Sequence, residues 1–235
     1  MTEPARGGRQ VIPRPETAEP GPPSPWAHLP IEARRPSLRD VLDGLAAGGP
    51  PKPSQWEPPV GARHSAVLVA LFEEDGLAHV ILTRRSWHLR NHKGEISFPG
   101  GRQDEGETLV EAALREAEEE IALDVGSVSI VGELDHLATW SSNSSIVPFV
   151  GVLPGRPPLL VPNPTEVEAV VITSLAELLE DGVHRTELWE FPANATVSGS
   201  RPMHFFELVG DTVWGATARM LMNLLTRTLR MEHPG

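Results

Sequence analysis

More than half of the chain's 24 prolines lie before Val60, and that distribution constrains the fold more than any other single feature. A proline removes a backbone donor and fixes φ. The runs Glu19-Pro20-Gly21-Pro22-Pro23-Ser24-Pro25 and Gly48-Gly49-Pro50-Pro51-Lys52-Pro53 therefore continue neither a helix nor a central strand. The 235-residue chain divides into a Pro-rich extension, residues 1–60, and a globular part, residues 61–235, long enough to bury one core. Between the proline runs, Ser37-Leu38-Arg39-Asp40-Val41-Leu42-Asp43-Gly44-Leu45 predicts a short amphipathic helix with a serine cap. The rest of the extension is expected to add little to the core, so that a chain without the residues before Val60 still folds.

Composition narrows the chemistry. There is no cysteine, which removes disulfides, thiolate metal sites and cysteine nucleophiles and leaves carboxylates and histidines as metal ligands. A formal net charge of −12 argues against a general nucleic-acid surface. Any polyphosphate ligand must meet positive charge locally. No stretch is apolar for long enough to span a bilayer, and Met1-Thr2-Glu3-Pro4-Ala5-Arg6 lacks the apolar run of a secretory signal. A soluble, cytoplasmic protein with no membrane and no nucleic-acid partner is the expectation.

In the globular part, Ser65 to Phe72 and Ala78 to Thr83 read as buried strands joined by a hairpin turn at Glu73-Glu74-Asp75-Gly76. Further strands are expected at Val128 to Leu134, Ile146 to Leu153, Ala169 to Ile172 and Met203 to Leu208. Helices are expected near Thr108 to Leu123, Leu175 to Leu179 and Thr212 to Thr228. This interleaving is an α+β class in one domain.

The chemistry concentrates between Gly101 and Leu123. Thr108 and Glu111 fit a capping box. At 100° per residue, Val110, Leu114, Ala117 and Ile121 form an apolar face, with Glu116, Glu119 and Glu120 opposite and exposed to solvent when no cation is bound. Carboxylates at this spacing repel one another by a few tenths of a kcal/mol per pair, a cost that a divalent cation removes. All-oxygen ligation selects hard cations, Mg²⁺ or Mn²⁺. A solvated acidic face is the plain alternative for an isolated run of glutamates.

This run is not isolated. Residues 101–123 match G-x5-E-x7-R-E-U-x-E-E-x-G-U, with U a bulky aliphatic residue, and so resemble the Nudix box. Ala117 is a small version of the aliphatic position. Ala122 replaces a glycine suited to a left-handed cap, at about 1 kcal/mol if that conformation is kept. The resemblance implies a Nudix fold, an α/β/α sandwich with a mixed β-sheet. It further implies that Glu116, Glu119 and Glu120 coordinate Mg²⁺ (or Mn²⁺), that the Gly100 or Gly101 carbonyl adds a ligand, and that Glu107 pairs with Arg115 to hold the loop against the helix. Metal-assisted attack of water on phosphorus is the implied reaction. The base is a box glutamate or an acid from elsewhere, such as Glu166.

The segment before the box, Leu82-Thr83-Arg84-Arg85-Ser86-Trp87-His88-Leu89-Arg90-Asn91-His92-Lys93-Gly94-Glu95-Ile96-Ser97-Phe98-Pro99-Gly100-Gly101, resembles the coenzyme A diphosphatase branch. The likeness continues in Gly132-Glu133-Leu134-Asp135, Val147-Pro148-Phe149-Val150-Gly151, Asn163-Pro164-x-Glu166-Val167 and Trp214-Gly215-x-Thr217-Ala218. It implies hydrolysis of coenzyme A or acyl-coenzyme A to phosphopantetheine, or its acyl form, and 3′,5′-ADP. Substrate contacts would come from Arg85, Ser86, His92, Lys93, Gly100 and Gly101, and a homodimer stays open. Arg84, Arg85, His88, Arg90, His92 and Lys93 are also the densest basic cluster in an acidic chain that has only two lysines. Ala138 to Ser145 departs from the branch, with a bulky Trp140. Two alternatives remain. One is a Nudix hydrolase of another nucleoside diphosphate derivative, such as NADH, a dinucleoside polyphosphate or a nucleoside triphosphate. The other is a non-catalytic nucleotide-binding sensor.

Overall fold

A computed structural model describes residues 5–55, 57–58, 60–139, 143–191 and 198–232; Trp140 lies outside them. The part of the chain that carries the glutamate-rich helix is built on strand β2 (Arg63–Glu74), which runs through the centre of an eight-stranded mixed sheet. Its side chains alternate. Ala66, Leu68, Ala70 and Phe72 face one layer while Val69 and Leu71 face the other, and all six are fully buried. A strand apolar on both faces needs cover on both. The neighbours are β3 (Leu77–Arg85), antiparallel through the hairpin, and β8 (Ser144–Val152), parallel from Arg63↔Ser144 to Leu71↔Val152. Asp75 and Gly76 both have positive φ, 52° and 73°, the conformation of a two-residue hairpin turn. The short strands β4 (Ile96–Ser97) and β5 (Gly100–Arg102) pair with β3 and β2, β6 (Ser129–Glu133) and β7 (Leu137–Thr139) pair with β8, and β9 (Val167–Ser174) pairs with β3.

Helix α2 (Leu109–Ile121) covers the first face through Ala113, Ala117 and Ile121. The other face packs against α3 (Leu175–Leu178), α4 (Gly215–Thr228) and a second sheet. That four-stranded sheet, ordered β1-β10-β11-β12, contains β1 (Glu19–Pro20), β10 (His184–Phe191), β11 (Gly199–Leu208) and β12 (Asp211–Trp214). The expected mixed sheet and flanking helices are present. The separate sheet, and β10 within it, were not foreseen. In His-Arg-Thr-Glu-Leu-Trp-Glu-Phe, Glu187 is only 5% exposed and breaks the apolar alternation that would have marked a strand; it accepts hydrogen bonds from Trp189 Nε1 and Arg14 Nε.

The extension is not peripheral, contrary to the expectation from its prolines. Trp26 is 1% exposed and Val41 fully buried, both in the core shared with α4. Trp26 stacks on Phe206 at 6.4 Å between centroids and lies 5.0 Å from the His184 ring. Helix α1 (Leu38–Ala47) begins with Ser37 in a reciprocal capping box with Asp40. It crosses α4 at Gly44, where a Cβ would stand 2.4 Å from the Arg227 carbonyl oxygen. Prolines forbid regular structure, but they do not prevent single large side chains between them from being buried.

Candidate active site

Helix α2 is set by its two ends. Thr108 caps the start, accepting from Glu111 N at 3.3 Å while its own N donates to Glu111 Oε2 at 2.7 Å. Ala122 ends the helix in the left-handed conformation, φ 53°, with its N–H donating to the carbonyls of Ala117 and Glu118, and so keeps the geometry that glycine would supply at lower cost.

Between these ends the three acids separate. Glu120 is 3% exposed, whereas the Glu119 side chain is 58% exposed. Glu116 is half-buried. The expectation that the acids face solvent fails at Glu120 because three residues on from Ala117 is only about 60° around the helix. Its carboxylate therefore lies at the edge of the core stripe, against the sheet. Gly100 N donates to Glu120 Oε2 at 3.3 Å. A Cβ on Gly101 would stand 2.2 Å from Glu116 Oε1, so the Gly100-Gly101 strand passes directly over the acids, and at Gly100 a Cβ would stand 2.4 Å from the Ala66 carbonyl oxygen, an approach to strand β2 that needs glycine.

Burial pushes the Glu120 carboxyl up to about 8; the charges of Glu116 and Glu166 push the same way, against the opposing pull of Arg85. Glu116 is likewise raised, first by burial. Glu166 is exposed and comes from outside the helix. Its carbonyl accepts from Ser86 N at 2.7 Å, and the preceding loop is stitched to the end of α2 by Asn163 N donating to Glu120 O at 2.8 Å. Desolvated carboxylates gathered in this way fit a hard divalent cation. With the side chains as they lie, no three His, Asp or Glu among the described residues stand in ligand geometry; Arg115 Nη1 contacts both Glu116 Oε1 at 3.2 Å and Glu119 Oε2 at 3.1 Å.

Arg115 ties the loop to the helix. Its Nε and Nη2 donate to the two Glu107 carboxylate oxygens at 3.1 and 2.9 Å, and Nη2 also donates to Arg102 O at 3.0 Å. Glu107 in turn accepts from Asp104 N at 2.6 Å. Such a fork fixes both distance and plane.

The basic cluster is split by the strand alternation of β3. Arg85 points toward α2, where its charge acts on Glu120, and its Nε is buried with no hydrogen-bond partner. Arg84 points the opposite way and is held by Asp211 of β12 at 2.8 and 2.6 Å, so it does not join the site. Ser86 is buried at the end of β3 and its Oγ accepts from His88 N at 3.3 Å. His92, with φ 56°, is bonded through Nδ1 to Glu95 at 2.9 Å, while Lys93 is exposed. Asp211 was missed in the sequence, where nothing marks a lone acid as the partner of an arginine 127 residues away.

A Gly-Gly strand crossing an acid-bearing helix whose loop is clamped by an Arg–Glu fork defines the class, and residues 62–195 match the model of the NUDIX domain. The chain belongs to the Nudix family. It is 44% identical over 117 residues to Nudix hydrolase 3 of Caenorhabditis elegans, covering 49% of this chain and 49% of that protein. It is 36% identical over 166 residues to Nudix hydrolase NudL of Escherichia fergusonii, covering 69% of this chain and 81% of that one. The chain spans about half the length of the first of these relatives. A MutT/nudix family protein from Enterococcus faecalis superposes with a TM-score of 0.46 at 16% identity, over 83% of this chain and 70% of that chain. No described helix is long and apolar enough to cross a membrane.

Proposed function

We propose that the protein hydrolyses the diphosphate bond of coenzyme A or acyl-coenzyme A, releasing phosphopantetheine or its acyl form and 3′,5′-ADP. The observation that carries the hydrolytic reading is the buried, charge-disfavoured Glu120, set beside the half-buried Glu116 that Arg115 contacts at 3.2 Å and within the field of Arg85, whose buried Nε has no hydrogen-bond partner. Glu116 and Glu120 would hold Mg²⁺ or Mn²⁺, with Glu119 available as a third acid once it leaves Arg115. A divalent cation bound there supplies positive charge to the diphosphate and acidifies the water that attacks phosphorus. Arg85 offers its unpaired donor to a phosphate oxygen. Glu166, exposed beside the acids, is the candidate from outside the helix to accept the proton. The Arg115–Glu107 fork keeps the Gly100–Glu107 loop in register with the acids.

The coenzyme A substrate is supported by the motif before the box and by the basic side chains left after Arg84 is withdrawn: Arg85, His88, Arg90, His92 and Lys93. Coenzyme A carries a 3′-phosphate that its dephospho form lacks. If these side chains read it, coenzyme A is hydrolysed with a kcat/KM about ten- to a hundredfold higher, because a charge-assisted contact is worth about 1.5 to 3 kcal/mol. Arg85→Ala shrinks that ratio if Arg85 meets the 3′-phosphate and lowers both rates equally if it holds the shared diphosphate. Equal rates on the two substrates, or faster hydrolysis of NADH, would overturn the coenzyme A reading.

A further inference from the structure

The segment Arg6 to Gln10 of the extension runs along the edge of the second sheet and ends over the loop that follows Arg85. Gly7 N donates to Leu208 O at 2.7 Å and Gly8 N to Thr212 Oγ1 at 2.9 Å, while Thr212 N donates back to Gln10 Oε1 at 3.3 Å. Arg6 is bound to Glu180 at 2.6 Å. A Cβ on Gly8 would stand 1.7 Å from Gln10 Oε1 and 2.8 Å from Thr212 N, so the segment fits its groove only as glycine. The segment is thus held on both sides of Arg9, by the Gly7 and Gly8 backbone before it and the Gln10 side chain after it.

Arg9 places its guanidinium 5.1 Å from the centroid of the Trp87 ring. Trp87 in turn closes the loop. A Cβ on Gly94 would lie 2.3 Å from two of its ring atoms, so the ring occupies the space that glycine leaves. In the closed turn Lys93 immediately precedes Gly94, and Ser86 and Arg85 immediately precede Trp87. Beside Thr212, Asp211 grips Arg84. One strip of the second sheet therefore anchors both the strand end that aims Arg85 and the segment that caps Trp87.

We propose that Arg9 is a positioning residue of the substrate site: stacked on Trp87, it pins the Trp87–Gly94 loop and so fixes the approach of the substrate's phosphates to Arg85 and Lys93. The substrate half of this inference rests on the function proposed above; the loop half does not. A cation over an indole is a modest interaction at an exposed site, so the effect is on ordering of the loop and on substrate binding, not on the bond-breaking step.

The test uses the full chain with Arg9→Met, which keeps length without charge, and Arg9→Lys, which keeps the cation. Hydrogen exchange is read first, without substrate, at the amides of Leu89 and Gly94, which donate to Ser86 O and Arg85 O at 3.3 and 3.1 Å. Arg9→Met is expected to speed their exchange about two- to fivefold, with α2 unchanged and Arg9→Lys close to wild type. On whichever diphosphate the wild type turns over, Arg9→Met raises KM by the same factor at unchanged kcat, and Arg9→Lys restores it. Unchanged loop exchange, a lysine variant as impaired as methionine, or a fall in kcat accompanied by faster exchange throughout the domain overturns the proposal. If the loop responds but coenzyme A is not hydrolysed, the substrate reading fails and the positioning role stands.

Discussion

Replacing Glu120 by glutamine separates what this carboxylate does for stability from what it does for function. Its group is pushed from the ordinary value of 4.5 up to about 8 by burial. Between those values the folded metal-free protein holds a proton that the unfolded chain releases, so its stability falls as pH rises from 4.5 and the loss is complete above about 8. At 1.36 kcal/mol per pH unit, the full rise corresponds to roughly 5 kcal/mol. Relaxation around the ionised group reduces this, and about 2 to 3 kcal/mol is the expected remainder. Glutamine keeps the shape and an acceptor for Gly100 N without the charge. In EDTA, Glu120→Gln should therefore melt close to wild type at pH 5.5 and about 4 to 10 °C above it at pH 8.5. Saturating Mg²⁺ closes the gap, because only the wild type gains binding free energy from the ion, and the variant loses most of its turnover. A gap that is the same at both pH values, or no gap at pH 8.5, would refute the argument that Glu120 is a desolvated carboxylate held in place for a cation.

Other substitutions test the frame around the site. Ala122→Gly relieves a left-handed alanine at φ 53°, worth about 1 to 2 kcal/mol, against about 0.5 to 1 kcal/mol of added unfolded-chain freedom. A rise in the urea midpoint equivalent to about 0.5 to 1 kcal/mol, at constant m-value, is expected, and a fall would show that the cap is unstrained. Trp26→Ala should cost about 3 to 5 kcal/mol in urea unfolding, and deletion of residues 1–59 should abolish cooperative melting; a truncated domain that melts as sharply as the full chain would show that the extension docks without contributing to the fold.

The residues themselves determined the family and much of the secondary structure. The box from Gly101 to Leu123 needs only local geometry, since a helix cap, a 3.6-residue period and an i, i+3, i+4 set of acids are all fixed within one helix. The strands around Val69 and Ile81 and the hairpin at Asp75-Gly76 were legible for the same reason, and the left-handed Ala122 was identifiable by its place in the motif. Only the tertiary structure decided which acids are buried, because the depth of Glu120 depends on how α2 rolls against the sheet. It also divided the neighbouring arginines, sending Arg84 to Asp211 and Arg85 to the acids by the alternation of β3. It turned a proline-rich extension into a supplier of Trp26 and Val41 to the core and of Arg9 to the loop at Trp87. Those contacts join residues far apart in the chain, and their free energy comes from surfaces that meet only after the fold has closed.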